Sequence, residues 1–334
     1  MSKSFHALIV AESPSGQSFS RAVGSRSVDD LPAGDVLIRV LYSSLNYKDA
    51  LSATGNKGVT RRYPHTPGID AAGIVEESNV AGYRPGEEVL VTGYDLGSNT
   101  SGGFAGYIRV PSSWVVIRPE GLTLRECMIF GTAGFTAALG VHKLQLNGVT
   151  TSSGDILVTG ATGGVGSLAV AILALEGYHV VAATGKVRER DFLLSLGAAE
   201  VIGREDVTDQ TGRPLLAGRW GGGIDTVGGA MLESAIRATQ PEGAFATCGN
   251  VASGEIATSI YPFILRGVSL LGIGSAFTPT TTRQHLWNML STRWKVPALE
   301  SLVTETDLHG LDHHIDLILR GGQRGRVLVN VQEE

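Results

Sequence analysis

The chain has 334 residues, 43% of them hydrophobic and 18% charged, with a formal net charge of −5. That length favours two domains, the composition excludes a disordered chain, and the excess of acids excludes the overall basic footprint that nucleic acid requires. No apolar run approaches the roughly 18 residues of a membrane-spanning helix, and Phe5-His6-Ala7-Leu8 is too short for a secretory signal, so neither a membrane nor a nucleic acid is expected as a partner. The two cysteines, Cys127 and Cys248, fit a reducing, cytoplasmic compartment and cannot build a disulfide framework.

The first third carries strand and turn signals. Asp35 to Ser44 alternates, with Val36, Ile38 and Val40 on one face; Pro85-Gly86 turns into Val89-Leu90-Val91; Phe104 to Val110 and Trp114 to Ile117 follow. Short strands joined by Gly and Pro turns predict a small barrel-like β domain. The pattern changes at Thr123-Leu124-Arg125-Glu126, a capping box in which Thr123 and Glu126 satisfy each other's backbone N–H groups. The helix it opens is expected to loosen at Gly131-Thr132-Ala133-Gly134 and to stop at Asn147-Gly148. From Asp155 strand and helix alternate: a strand at 156–159, a helix at 164–176, a strand at 179–183, a helix at 187–196, and later strands at 224–227, 244–247 and 268–273. Short, wholly apolar strands between helices call for a parallel sheet covered on both faces. One or two helices and a strand at 326–331 end the chain.

Gly160-Ala161-Thr162-Gly163-Gly164-Val165-Gly166 follows the first of these parallel strands and opens a helix. Gly160 permits the sharp turn, Gly163 and Gly164 let backbone N–H groups approach a pyrophosphate, and Gly166 lets the helix pack close to the sheet. The helix N-terminus then faces the phosphates. The glycine spacing is a variant of the dinucleotide fingerprint, and the strand–loop–helix context distinguishes it from a glycine-rich turn. An acid at the end of the next strand binds the ribose of NAD. Here the segment is Ala183-Thr184-Gly185-Lys186, followed by Arg188 and Arg190. Thr184 and Lys186, with Arg188 or Arg190, can hold the 2′-phosphate of NADPH, the alternative being a solvated helix face balanced by Glu189 and Asp191. Asn250 and Arg326 complete the candidate cofactor contacts; for Arg326, as for Arg266, capping of structure is the competing reading.

Pro67-Gly68-Ile69-Asp70-Ala71-Ala72-Gly73, the turn at Gly86-Glu87-Glu88-Val89, Gly102-Gly103-Phe104-Ala105-Gly106-Tyr107 and the glycine loop stand in the order of the medium-chain dehydrogenases/reductases. Ser44-Leu45-Asn46-Tyr47-Lys48-Asp49-Ala50-Leu51 and Pro262-Phe263-Ile264-Leu265-Arg266-Gly267-Val268-Ser269-Leu270-Leu271-Gly272 resemble the YhdH/YhfP group, which includes acrylyl-CoA reductases and quinone oxidoreductase-like proteins. One departure is Gly274, where that group is expected to carry Asp. The resemblance covers nearly the whole chain. It implies a GroES-like β-barrel catalytic domain (1–126 plus 274–334) with an inserted Rossmann domain, a doubly wound parallel sheet binding NADP (127–273), and the cofactor in the cleft. It also implies a homodimer paired through the strand at 268–273.

Zinc-dependent relatives place a Cys within the segment that here reads Asn46-Tyr47-Lys48-Asp49, and a His-Glu pair where this chain has Ile69-Asp70. Catalytic zinc needs about three N, S or O ligands; Ile69 is none, and His65 alone is more in keeping with packing. No metal is therefore expected. The resemblance then implies NADPH-dependent reduction of an α,β-unsaturated acyl thioester, acrylyl-CoA to propionyl-CoA, with hydride reaching the β-carbon and a proton the α-carbon. Tyr47 is the candidate proton or hydrogen-bond donor, since a phenol ordinarily keeps its proton at neutral pH; the alternatives are water as the donor and Tyr47 as an aromatic that closes the cleft. Asn46 is expected to orient substrate or nicotinamide, and Asp49 to orient its neighbours. Arg61-Arg62, after the flexible Gly55-Asn56-Lys57-Gly58, either meets coenzyme A phosphates or is solvated. The competing functions are a quinone or enone reductase and, in another class, a non-catalytic NADPH-binding regulatory protein.

Overall fold

The computed structural model describes residues 3–297 and 299–332. Contacts divide them into two units, one of residues 3–132, 276–291 and 299–332, the other of 133–275 and 292–297. In chain order the elements are β1 (Ser4–Glu12), β2 (Phe19–Ser27), β3 (Val36–Leu45), α1 (Tyr47–Ala53), β4 (Asp70–Ser78), β5 (Glu88–Thr92), β6 (Tyr107–Val110), β7 (Val115–Ile117) and α2 (Leu124–Leu146). Next come β8 (Asp155–Thr159), α3 (Gly164–Leu175), β9 (Val180–Ala183), α4 (Arg190–Ser195), β10 (Glu200–Ile202), β11 (Trp220–Asp225), α5 (Gly229–Arg237), β12 (Thr239–Thr247), α6 (Tyr261–Arg266) and β13 (Ser269–Gly272). The last are α7 (Thr280–Ser291), β14 (Val303–Thr306), α8 (Leu311–Leu319) and β15 (Arg326–Asn330).

In the first unit the main sheet runs β14-β15-β3-β4-β5-β7, and β6 also pairs with β3. The strand β3 serves three partners because it is irregular: its register against β4 shifts at Leu37/Ile38 and at Val40/Tyr42. Its first half pairs with β6 and its last four residues with β15. Bulges of this kind bend a strand and let it change neighbours. Both faces of β3 are buried, which the expected alternation of Val36, Ile38 and Val40 does not convey. Those three residues enter the main core with Leu8, Val89, Phe104 and Val327. Leu37 points the other way, into a smaller core with Phe5, Val28, Leu31 and Ala105. The hairpin β1-β2 covers that second core, and its second strand, Phe19–Ser27, has no buried residue and no hydrophobic period to announce it.

The capping box at the start of α2 is formed: Glu126 N donates to Thr123 Oγ1 at 3.1 Å, and Thr123 N to Glu126 Oε2 at 2.8 Å. Gly131, at φ 50° and ψ −155°, breaks the helix where the sequence loosens it. This 23-residue helix is, among the described residues, the one long and apolar enough to cross a membrane, and most of it is buried inside the protein.

The second unit holds a six-stranded parallel sheet in the order β10-β9-β8-β11-β12-β13. Counted from β8, this is the order 3-2-1-4-5-6 of doubly wound dinucleotide folds, with its reversal between β8 and β11. The strand β11 begins at Trp220, earlier than its apolar end suggests, because Gly221-Gly222-Gly223 carry no hydrophobic signal. A Cβ on Gly223 would lie 2.5 Å from Leu157 O and 2.3 Å from the Phe245 ring, so close packing on both sides demands glycine there. The loop after β8 turns at Gly160 (φ 60°), and α3 starts against it so tightly that a Cβ on Gly166 would lie 2.3 Å from Gly160 O.

The substitution Gly166→Ala therefore forces α3 away from the loop. It should lower the stability of the second unit by about 2 kcal/mol, read as a lower denaturation midpoint. An unchanged midpoint would show that the loop accommodates the methyl group.

Candidate active site

Two groups of residues carry the chemistry expected from the sequence, one in each unit.

In the first unit, the end of β3, the start of β4, the break in α2 and the start of β15 converge on Asp70, whose side chain is fully buried. Its Oδ2 accepts from Ser44 Oγ (2.6 Å), Asn46 Nδ2 (2.8 Å) and Thr132 N (2.9 Å), and its Oδ1 from Thr132 Oγ1 (2.6 Å). Arg326 faces the same cluster, 2% exposed. Its guanidinium donates to Ile129 O, Leu45 O, Asn46 Oδ1 and Ser44 Oγ. Ser44 and Asn46 thus relay between the cation and the carboxylate. Gly131 makes the convergence possible: a Cβ there would lie 2.5 Å from both Asp70 Oδ2 and Ser44 Oγ.

Asp49, also fully buried, accepts from Asn46 N (2.8 Å), Gly68 N (3.1 Å) and Ile69 N (2.8 Å). Burial and the Asp70 charge push its carboxyl up to about 7, against the pull of those N–H donors. Asp70 and Asp49 both lie in the field of the buried Arg326 guanidinium.

These contacts correct two expectations and refine a third. Arg326 is not available to a cofactor phosphate, because all three of its nitrogens are spent inside the first unit. Asn46, 8% exposed, has its amide committed to Ser44 O, Asp49 and Asp70 and its oxygen to Arg326, so it holds the local backbone in place instead of orienting a ligand. Asp49 acts on its neighbours from a fully buried position. Tyr47 differs from all of these. It is the first residue of α1, directly after the N-cap Asn46, and is half-buried; among the described residues its hydroxyl has no hydrogen-bond partner.

In the second unit the glycine loop lies at the reversal of strand order. Thr159, at the end of β8, donates to Asp225 Oδ1 at 2.7 Å, and Thr247 and Gly228 N donate to Asp225 Oδ2. This buried carboxylate ties together the ends of β8, β11 and β12 that frame the loop. Thr162 Oγ1 lies 3.3 Å from Thr184 Oγ1, and Lys186 N donates to Thr184 Oγ1 at 3.0 Å. Lys186 is half-buried and its ammonium pKa is lowered by burial, with Arg204 adding to the effect. Arg204 lies over Gly185, where a Cβ would fall 2.3 Å from Arg204 Nε. Arg188 is exposed on the turn before α4, Arg190 donates to Val201 O, and Asn250 is exposed after β12, beside Gly228. Arg266 spends its guanidinium on Arg237 O, Thr239 O and Leu216 O, which makes it a cap of structure. Gly274, the departure from the family pattern, has open space around its Cβ position.

Asp70, Asp225 and Arg204 went unassigned in the sequence. Asp70 and Asp225 had a signal, an acid set in an apolar strand end, whereas Arg204 sits 18 residues beyond Lys186 in sequence and had none.

Residues 32–120 match the alcohol dehydrogenase GroES-like domain, and residues 164–292 match a family described as zinc-binding dehydrogenase. The chain is 45% identical to YhfP of Bacillus subtilis, which carries a provisional quinone oxidoreductase name, over 91% of this chain and 93% of that one. A crystal structure of YhfP with NAD bound superposes with a TM-score of 0.95, covering 98% of this chain and 100% of that one. The acrylyl-CoA reductase AcuI of Ruegeria pomeroyi is 41% identical over 98% of this chain and 99% of its own. The yhdH oxidoreductase from Salmonella enterica, in complex with NADP, is 39% identical with a TM-score of 0.95, covering 98% of this chain and 100% of that one. The chain belongs to the YhdH/YhfP group of medium-chain dehydrogenases/reductases. As a medium-chain oxidoreductase, it combines the GroES-like and Rossmann folds foreseen for it.

Although one matching family is described by zinc, no group of three or more His, Cys, Asp or Glu side chains among the described residues is placed to hold a metal. Both oxygens of Asp70 are already hydrogen-bonded. Burial pushes the thiols of Cys127 and Cys248 up to about 12.

The raised Asp49 carboxyl gives stability a distinctive pH dependence. The folded state holds the Asp49 proton to about pH 7, while the unfolded chain loses it near pH 4. Asp49 therefore contributes its full stability below about pH 4 and loses it as pH rises to about 7. The stability of the wild type relative to Asp49→Asn should fall from about pH 4 to about pH 7 and level off above. A relative stability that rises over this window, measured by urea unfolding, would contradict the assignment.

Proposed function

We propose that this protein is a cytoplasmic, zinc-independent, NADPH-dependent reductase of the C=C bond of short α,β-unsaturated acyl thioesters, converting acrylyl-CoA to propionyl-CoA. The observation that carries the acceptor is the 41% identity to AcuI across almost the full length of both chains.

The residues of the second unit fit NADPH. The turn at Gly160 and the tight start of α3 leave backbone N–H groups of the first helical turn, at Gly164 and Val165, for a pyrophosphate, with Gly163 beside them. No acid stands at the end of β9 to pair with a ribose 2′-hydroxyl. Thr184, Lys186 and Arg204 surround that position instead, a hydroxyl and two cations suited to a 2′-phosphate. Arg188 is near in sequence and free to join them, Thr162 belongs to the loop itself, and Asn250 lies beside Gly228. When bound, NADPH supplies the hydride that the β-carbon of the thioester accepts.

Addition at the β-carbon leaves negative charge on the thioester oxygen, which a hydrogen-bond donor stabilises, and the α-carbon then takes a proton. Tyr47 supplies these needs through a hydroxyl with no internal partner among the described residues. Asn46 and Asp49 fix the backbone from which it projects, and are positioning residues. Arg326 and Asp70 fix Asn46 in turn.

The provisional quinone oxidoreductase name of YhfP, the more identical relative, favours a second reading in which the acceptor is a quinone. One experiment separates the two: NADPH oxidation followed with acrylyl-CoA, a simple quinone, and NADH as alternative donor. Rapid loss of NADPH with acrylyl-CoA and slow loss with the quinone are expected, with NADH inferior. In Tyr47→Phe, kcat on acrylyl-CoA should fall by roughly 10²-fold. Quinone-only turnover would remove the thioester assignment, and a preference for NADH would remove the roles given to Lys186 and Arg204.

The second unit also supports homodimer formation. The strand β13 is an edge of the parallel sheet, and Ile260, Ile264 and Leu265 beside it are each more than 60% exposed. Pairing of two such edges across a two-fold axis would cover both the strand and this apolar surface. A solution mass equal to one chain would contradict this arrangement.

A further inference from the structure

The first unit contains a cavity of about 350 Å³ lined by Arg61, Arg62, His65, Ser98 and Asn99. None of these residues has a part in the machinery described above. The electrostatics of the cavity are one-sided. Arg61 and Arg62 are exposed at its rim, and among the described residues neither has an ion-pair or hydrogen-bond partner. His65 is 8% exposed and its ring is held at Gly97 O; burial lowers its pKa, with Arg26 as a further positive neighbour.

Ser98 supplies an independent sign of a ligand. It is 2% exposed, and its Oγ is buried without any hydrogen-bond partner. A buried hydroxyl left unpaired is costly, and such groups in folded proteins usually have a partner. The turn that carries it is rigid: Ser98 N, Asn99 N and Thr100 N all donate to Asp95 O, and Asn99 Nδ2 donates to Asp95 Oδ1. Two unpaired guanidinium groups and an unpaired hydroxyl on one cavity form a site for an oxyanion, for which arginine's planar fork is suited.

The cavity is tied to the reactive end of the unit. Its rim segment hangs from the C-terminal end of α1 through Ser52 Oγ to Thr60 Oγ1 (2.7 Å) and Tyr63 Oη to Ser52 O (2.7 Å). Tyr47 opens the same seven-residue helix, about 10 Å long. On its other side, Gly97 packs on Gly68, whose N–H donates to Asp49.

We propose that this cavity binds the phosphate groups of the coenzyme A portion of the substrate, with Arg61, Arg62 and Ser98 as the donors. The proposal rests on the thioester reading and extends it: recognition of the phosphates anchors the far end of a substrate whose acyl end is presented near Tyr47.

The test compares acrylyl-CoA with acrylyl-pantetheine, the same thioester without phosphates, in the wild type and in Arg61→Ala/Arg62→Ala. In the double variant KM for acrylyl-CoA should rise roughly tenfold per arginine removed, with kcat and the constants for acrylyl-pantetheine little changed. The variant Arg61→Lys/Arg62→Lys should recover part of the loss. An unchanged KM for acrylyl-CoA overturns the proposal, as does an equal loss on both substrates. If the wild type does not reduce acrylyl-CoA at all, the thioester reading fails by itself. Titration of adenosine 3′,5′-bisphosphate into protein saturated with NADP then decides the cavity. Binding that is lost in the double variant keeps it as a phosphate site; no binding, or binding the variant retains, rejects it.

Discussion

Asp70 and Arg326 are enclosed together in the first unit, and the placement of every candidate reactive group there follows from that enclosure. A carboxylate and a guanidinium out of water are each costly unless their hydrogen-bonding capacity is filled. Filling it recruits Ser44 and Asn46 from the end of β3, Thr132 from the break in α2 and the carbonyls of Leu45 and Ile129. Four segments distant in sequence are thereby fixed at one point. The helix that carries Tyr47 starts one residue beyond it. A cation that belongs to the chain, the Arg326 guanidinium, organises this region.

The second unit has a comparable pin. Asp225 joins the ends of β8, β11 and β12 around the glycine loop, so the loop's shape is set by the sheet beneath it. The loop supplies backbone donors, and the end of β9 supplies Thr184 and Lys186. Arg204 arrives from beyond β10, across the top of Gly185, and gives the position a second cation.

Much of this architecture was legible in the sequence because it is written in local chemistry. The capping box at Thr123 and Glu126, the break at Gly131, and the strand–loop–helix around Gly160 to Gly166 each follow from backbone requirements of a few consecutive residues. The strand β2 and the early start of β11 were not legible, since one lacks any buried residue and the other begins with three glycines after Trp220; pairing alone makes them strands. The site divides along the same line. Tyr47 is half-buried at the start of α1, and Lys186 is half-buried beside Thr184, each on the element its motif implies. Asn46 stands in a motif that suggests a ligand and Arg326 is open to either a phosphate or a capping role, and long-range burial, invisible in a single sequence, turns both inward. Arg204 and the unpaired Ser98 emerge only when segments far apart in the chain are brought together.

The proposed conjugate reduction puts hydride and proton on different carbons. The most direct measurement uses NADPH deuterated at the transferred position, in ordinary water, with acrylyl-CoA as acceptor and mass and NMR analysis of the product. Conjugate reduction gives propionyl-CoA with one deuterium, confined to the β-carbon, and deuterium at the α-carbon only when the solvent is D₂O. Deuterium at the α-carbon in ordinary water, or label in an alcohol formed at the carbonyl, would contradict it.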